Sequence, residues 1–143
     1  MTRIEKSVFI KASAKKIYDY LIEPSNLPEY WPNVKKVSDI KPLANGGFST
    51  RWEYRLAGIT FKGTGATIEC VQDKCIVDHI KGGIDSVQKW TLKPEANGTR
   101  ATFEVEYDIP TPVVGGILEK LFDGVNQRDG EKIMALLKSR MET

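Results

Sequence analysis

The sequence has 143 residues and a formal net charge of +2, from 21 basic and 19 acidic residues. This length fits a single domain spanning residues 1–143 with a sizeable core, and the balanced charge argues against nucleic acid as a partner. No stretch approaches the roughly 20 apolar residues of a membrane span, and the N-terminus lacks a signal peptide's apolar core. We therefore expect a cytoplasmic protein without stable membrane insertion.

Metal and disulfide chemistry have few residues available. One histidine, His79, and two cysteines, Cys70 and Cys75, do not complete a common metal site unless carboxylates or a second chain contribute. We therefore predict no metal and no cofactor. The two cysteines are also too few for a disulfide scaffold, and the cytoplasm keeps most thiols reduced.

The chain begins with a short alternating strand, Ile4 to Ile10, and an amphipathic helix. Ser13 is a good N-cap for this helix, and apolar residues recur behind it at helical spacing. These residues are Ala14, Ile17, Tyr18, Leu21 and Ile22. Pro24 ends the helix, and a second short helical turn follows.

The middle of the chain alternates with period two between turn signals, which predicts six consecutive strands. The predicted strands are Val34–Leu43, Phe48–Leu56, Ile59–Val71, Cys75–Ile80, Ile84–Leu92 and Thr99–Ile109. Short turns join antiparallel neighbours. Together with the first strand, these segments predict a seven-stranded antiparallel sheet.

After the proline-containing segment Pro110–Gly116, the spacing of apolar residues changes from that of a strand to that of a helix. Apolar residues from Ile117 onward fit one face of a long helix that ends near Met141. One face of the sheet needs cover, and this helix has the only long apolar stripe available to cover it. Proline stiffness and glycine freedom at the helix start predict a mobile entrance there.

The order of elements and one local stretch resemble a known superfamily. The sequence from Val8 to Val37, and within it the loop Glu23–Pro32 (EPSNLPEYWP), resembles the opening of the polyketide cyclase/dehydrase and lipid-transport branch of the START-like (SRPBCC) superfamily. The resemblance implies an α+β helix-grip fold, as in birch-pollen-type allergens. In that fold a curved seven-stranded antiparallel sheet, with two short helices, carries a long C-terminal helix over its concave face. It also implies a cavity between sheet and helix.

Strand alternation indicates which side chains face that cavity. In the third strand the aromatic residues share one face, and a two-residue turn places Trp52 opposite Gly63 and Tyr54 opposite Phe61. A later change of apolar phase predicts a β-bulge near Gly63–Ala66.

The next two turns place Cys70 opposite Cys75 and His79 opposite Ser86. The candidate ligand-binding residues are therefore Trp52, Tyr54, Phe61, His79, Ser86, Gln88, Trp90, Phe103 and Tyr107. The same aromatic side chains would also fill a solid core, and the sequence leaves that alternative open.

Three functions stay open at this level. No phosphate loop, HExxH or G-x-S-x-G motif is present, so no catalytic residue is assigned. The leading hypothesis is the binding or transport of a small hydrophobic ligand, lipid-like or aromatic and polyketide-like. The second is a cyclase or dehydratase with Tyr54, His79 or Tyr107 as acid/base groups. The third is a protein-interaction module, as in the Hsp90-activator branch of the superfamily.

Overall fold

The structure is a computed structural model that describes residues 2–56, 58–82, 85–108 and 128–143. The strands are β1 (Thr2–Ile10), β2 (Val34–Pro42), β3 (Phe48–Leu56), β4 (Ile59–Val71), β5 (Cys75–Lys81), β6 (Asp85–Glu95) and β7 (Gly98–Asp108). The helices are α1 (Ala14–Ile22), α2 (Leu27–Tyr30) and α3 (128–141), with a 3-10 turn at Pro24–Asn26. The predicted entrance at Pro110–Gly116 and the predicted helix start at Ile117 lie outside the described residues.

All seven strands belong to one antiparallel sheet in the order β1-β7-β6-β5-β4-β3-β2. Each strand from β2 to β6 pairs with the strand that follows it in the chain, and β1 pairs with β7. Strands β1 and β2 are therefore the two edges of the sheet. The predicted helix-grip class is thereby confirmed. None of the described helices is long and apolar enough to cross a bilayer.

The first helix forms where its cap and apolar stripe predict it. The Lys16 backbone N–H donates a 3.1 Å hydrogen bond to Ser13 Oγ, which satisfies one of the free donors at the helix start. The helix buries Ile17, Tyr18 and Leu21. Pro24 then occupies the first turn of the 3-10 helix, where its missing N–H costs nothing.

The core lies between the concave face of the sheet and the helices. Helix α3 buries one apolar face against this core, and its contributing residues are Ile133, Met134, Leu137 and Met141. The Lys138 ammonium donates to the Phe9 carbonyl oxygen at 3.0 Å. The Lys16 ammonium donates to the Met141 carbonyl oxygen at 2.7 Å. These contacts hold α3 against β1 and α1.

The pairing of β3 with β4 follows the predicted register. Trp52 lies opposite Gly63 and Tyr54 opposite Phe61. A Cβ atom built at Gly63 would overlap the Trp52 indole and the Lys81 carbonyl oxygen. Glycine is therefore required there, because the indole and the Lys81 carbonyl oxygen leave no room for a side chain.

The β-bulge between β4 and β5 lies further along the chain than predicted. The register shift falls between Thr67 and Glu69, and the prediction of a bulge near Gly63–Ala66 is wrong. The Phe48 backbone N–H donates a 3.2 Å hydrogen bond to Thr67 Oγ1, so Thr67 faces inward and is only 6% exposed. Ile68 instead faces solvent and is 56% exposed.

Strand β5 also lies one residue away from its predicted register against β6. Asp78 pairs with Gln88, and Ile80 pairs with Ser86, so the predicted pairing of His79 with Ser86 is wrong. A slip of one residue exchanges the two faces of a strand. Asp78 and Ile80 therefore face the concave side, and His79 faces away from it.

The β-bulge between Thr67 and Glu69 separates the two cysteines. Cys70 pairs with Ile76, and Cys75 pairs with Val71, so the predicted pairing of Cys70 with Cys75 is wrong. Both cysteines are free thiols.

The contact between Trp52 and Gly63 leads to a stability prediction. Replacing Gly63 with alanine forces the indole or the Lys81 backbone to move, and we expect the free energy of unfolding to fall by about 1–3 kcal/mol. Urea denaturation measures the change. Thr64→Ala, at the exposed neighbouring position, is the control and should stay within about 0.5 kcal/mol of wild type. Equal effects of both substitutions would show that the contact is not restrictive.

Candidate ligand-binding cavity

A cavity of about 130 Å³ lies between the concave face of the sheet and α3. Its wall combines apolar side chains from β1, β3, β4, β5 and β7 with Gly130 and Ile133 of α3. Ser86 and Gln88 of β6 and Lys6 of β1 add polar groups to it. Seven of the predicted site residues line it: Trp52, Tyr54, Phe61, Ser86, Gln88, Phe103 and Tyr107. We call this space the main cavity. Its presence favours the cavity alternative over a completely filled core.

A second space of about 80 Å³ adjoins the main cavity between the first two helices and strands β3 to β6. Five aromatic side chains line it: Tyr30, Trp31, Phe48, Trp52 and Trp90. We call it the aromatic chamber. Five residues line both spaces: Leu27, Trp31, Trp52, Ile80 and Gln88. The predicted site residue Trp90 thus belongs to the aromatic chamber.

The predicted site residue His79 lines neither space. It pairs across the sheet with Val87, which is 38% exposed. The position that the prediction gave to His79 is taken by Asp78, which lines the aromatic chamber. Sequence reasoning missed Asp78 because strand β5 carries apolar residues in both alternating phases, so alternation alone fits two registers.

Asp78 brings a partly buried carboxyl group into the aromatic chamber. Burial raises the pKa of this carboxyl from its ordinary value, and a hydrogen bond with Thr67 opposes part of the rise. Among the described residues that line the chamber, Asp78 is the only one with an ionisable acidic or basic group other than a phenol. The pKa of the buried Tyr30 phenol is raised by burial and by the negative charge of Asp78, so Tyr30 stays neutral.

Two indole N–H groups are buried between the spaces without a hydrogen-bond partner in the described part of the chain. They belong to Trp31 and Trp52, which line both spaces. A buried donor without a partner costs about 1–3 kcal/mol. The two groups therefore offer donors to any molecule that occupies the cavity.

A polar contact joins α3 to the wall of the main cavity. The Asn33 side-chain amide donates to the Asp129 carboxylate and, at 3.4 Å, to the Tyr54 hydroxyl. Burial raises the pKa of Tyr54 and of Asp129, while Asn33 lowers both. Asp129 and Tyr54 line the main cavity, so this contact positions two polar groups at its edge.

The described polar groups are suited to hydrogen bonding and proton transfer. Within the described ranges, no group of three or more His, Cys, Asp or Glu side chains is placed to hold a metal ion. The candidate acid/base groups are the Asp78 carboxyl and the phenols of Tyr54 and Tyr107. The carboxyl and the two phenols lie in different spaces, with the shared tryptophans between them.

Comparisons with known proteins identify the family and the fold. The family described as "Polyketide cyclase / dehydrase and lipid transport" matches residues 1–142. No curated protein matches the chain.

Similar solved structures include a START superfamily protein from Mycobacterium smegmatis, with 19% identity, a TM-score of 0.79 and coverage of 98% of this chain and 97% of that chain. The Zhui aromatase/cyclase from Streptomyces sp. R1128 has 14% identity, a TM-score of 0.85 and coverage of 99% and 93%. A protein from Thermus thermophilus has 21% identity, a TM-score of 0.75 and coverage of 98% and 97%. At these identities the likeness shows the fold alone.

The raised pKa of Asp78 predicts that removing this carboxyl increases the free energy of unfolding, by an amount that depends on pH. A carboxyl whose pKa is raised by folding favours the folded state when protonated, and this contribution is lost as the pH rises from the unfolded pKa to the folded pKa. Asp78→Asn removes the charge, so we expect the variant to be more stable than wild type at pH 7. The difference should shrink below about pH 4, where Asp78 is protonated in both states.

Urea denaturation of both proteins at several pH values measures this difference. A tenfold change in the proton affinity of the carboxyl corresponds to about 1.4 kcal/mol. A variant that is less stable than wild type at pH 7, by an amount that disappears as the pH falls, would show that the carboxylate is stabilised where it lies.

Proposed function

Because the chain belongs to the polyketide cyclase/dehydrase and lipid-transport family, we propose that it binds a small, largely apolar, ring-containing molecule. The ligand occupies the main cavity and the aromatic chamber. The observation that carries this proposal is the pair of adjoining spaces, walled by aromatic and aliphatic side chains with a few polar groups among them. Sites for small molecules have this composition.

The size of the two spaces favours rings over long acyl chains. Their volumes are about 130 and 80 Å³, and an apolar cavity of about 150 Å³ holds one benzene molecule. A single ring, or two fused rings across both spaces, therefore fits, whereas the two chains of a membrane lipid do not. Of the ligand classes expected from the sequence, the aromatic class suits this space better than the lipid-like class.

The aromatic walls are held in place by contacts with one another. The Trp31 and Phe103 rings meet edge to face, with centroids 5.4 Å apart. Trp90 packs against Phe103 at 4.8 Å and against Tyr30 at 6.4 Å. Such pairs add about 0.5–1.5 kcal/mol each beyond their buried area. A wall built this way is preformed, which lowers the cost of ordering side chains when a ligand binds.

An enzyme of the cyclase or dehydratase type is the second candidate function. The observation that favours it is the Asp78 carboxyl, whose raised pKa moves it towards the range where a carboxyl exchanges protons near neutral pH. Tyr54 is a second candidate acid/base group for such a reaction. Turnover of a poly-β-ketone chain that is lost in Asp78→Asn, while binding of the chain persists, would favour this candidate.

Binding is tested by filling the main cavity. Val105 lines it from β7, and Val105→Phe adds a ring inside the space. We expect this substitution to weaken binding of uncharged one- and two-ring compounds by at least about tenfold, because it removes room for one ring. All three tryptophans line one or both spaces, so quenching of tryptophan fluorescence measures the affinity.

The matched control is Val87→Phe, which makes the same change at an exposed position outside both spaces. This variant should bind like wild type. The proposal is wrong if no compound in the panel gives saturable quenching with wild type, or if both variants bind as tightly as wild type.

A further inference from the structure

We propose that the aromatic chamber is a subsite for a positively charged amine, so that the ligand carries an ammonium group which lies against Asp78 between the aromatic rings. This inference rests on the proposed function, because it assigns the chemistry of one end of the same ligand. The remaining, uncharged part of the ligand occupies the main cavity.

The Asp78 carboxylate has no cationic partner among the described residues of the chamber. Asp78 faces the chamber from β5, and its side-chain neighbours there are neutral: Thr67 on β4, Gln88 on β6 and Tyr30 on α2. No lysine, arginine or histidine lines the chamber among the described residues. A carboxylate removed from water without a partner costs several kcal/mol. A cation in the chamber would supply the missing partner.

Five aromatic side chains line the same chamber as that carboxylate. Tyr30 and Trp31 come from the helical side, and Phe48, Trp52 and Trp90 come from three positions on the sheet. The face of an aromatic ring attracts a cation, and tryptophan does so most strongly. Every tryptophan in the chain lines this one chamber. Aromatic rings that enclose a site are the usual means of recognising substituted ammonium ions.

The aromatic chamber and the main cavity adjoin one another. Trp31, Trp52 and Gln88 line both spaces, and the proposed ligand extends across the two. Its charged end meets the carboxylate and the ring faces, and its uncharged end meets the apolar wall formed by Phe61, Phe103 and their neighbours. An anionic ligand is disfavoured, since Asp78 would repel it at the inner end.

A matched pair of probes tests this inference. Benzyltrimethylammonium and neopentylbenzene have nearly the same shape and differ by one positive charge. We expect wild-type protein to bind the cation at least about tenfold more tightly than the hydrocarbon, measured by tryptophan quenching. Asp78→Asn should sharply reduce this preference, leaving only the part due to the aromatic rings, and should leave the affinity for neopentylbenzene unchanged.

The control variant is Glu69→Gln, which removes one negative charge at an exposed position outside the chamber. It should keep the full preference for the cation, which excludes an effect of net charge alone. Far-ultraviolet circular dichroism confirms that each variant is folded.

The outcomes separate this inference from the proposed function. If wild type binds neopentylbenzene as tightly as the cation, the ammonium subsite is wrong and the proposed function stands. If 2-phenylethanol binds more tightly than the cation and loses its affinity in Asp78→Asn, the carboxylate recognises a neutral hydroxyl donor and the inference is overturned. If no probe binds wild type, both proposals fail.

Discussion

The chemistry of the cavity depends on one interaction, the hydrogen bond from the Phe48 backbone N–H to Thr67 Oγ1. This bond draws Thr67 inward over the start of β3, where Gly47 leaves room because a Cβ at that position would overlap the Thr67 side chain. The chain then needs an extra residue before β4 can resume pairing with β5. A β-bulge supplies that residue. Before the bulge, the inward-facing Thr67 lies opposite Asp78, which therefore faces the chamber as well.

The aromatic walls depend on glycines as much as on the aromatic residues. Trp52 of β3 lies over Gly63 of β4, and the edge of its indole approaches Gly65, which is also on β4. With a side chain at Gly63 the ring would be pushed into the cavity and the space would narrow. Large rings on one strand and glycines on its neighbour therefore leave both a rigid wall and an open volume.

Binding and catalysis place similar demands on this site, and the position of one carboxyl separates them. In an apolar chamber, Asp78 either pairs with a cation of the ligand or exchanges a proton with it. Pairing stabilises the ionised form and lowers the pKa of Asp78. Proton exchange requires that the pKa stay raised in the complex. The pKa of Asp78 with ligand bound is thus the quantity that distinguishes a binding protein from an acid/base catalyst in this fold.

Local sequence by itself determined much of the architecture. Ser13 and the apolar stripe behind it define α1, alternation and turn residues define the strands, and the two-residue turn after β3 sets Trp52 opposite Gly63. These signals act over a few residues, so a pattern can report them. The positions of Trp52, Tyr54 and Phe61 in the cavity wall followed from the same alternation.

Only the tertiary structure decided the inner end of the site. Strand β5, CIVDHIK, is apolar in both phases, so its alternation does not choose between Asp78 and His79 as the inward residue. The choice is made by the pairing of β5 with β4, because Thr67 faces the chamber and lies opposite Asp78. The indole N–H groups of Trp31 and Trp52 have no hydrogen-bond partner among the described residues, and this too is a result of packing. Whether a buried donor finds a partner depends on every element that packs around it.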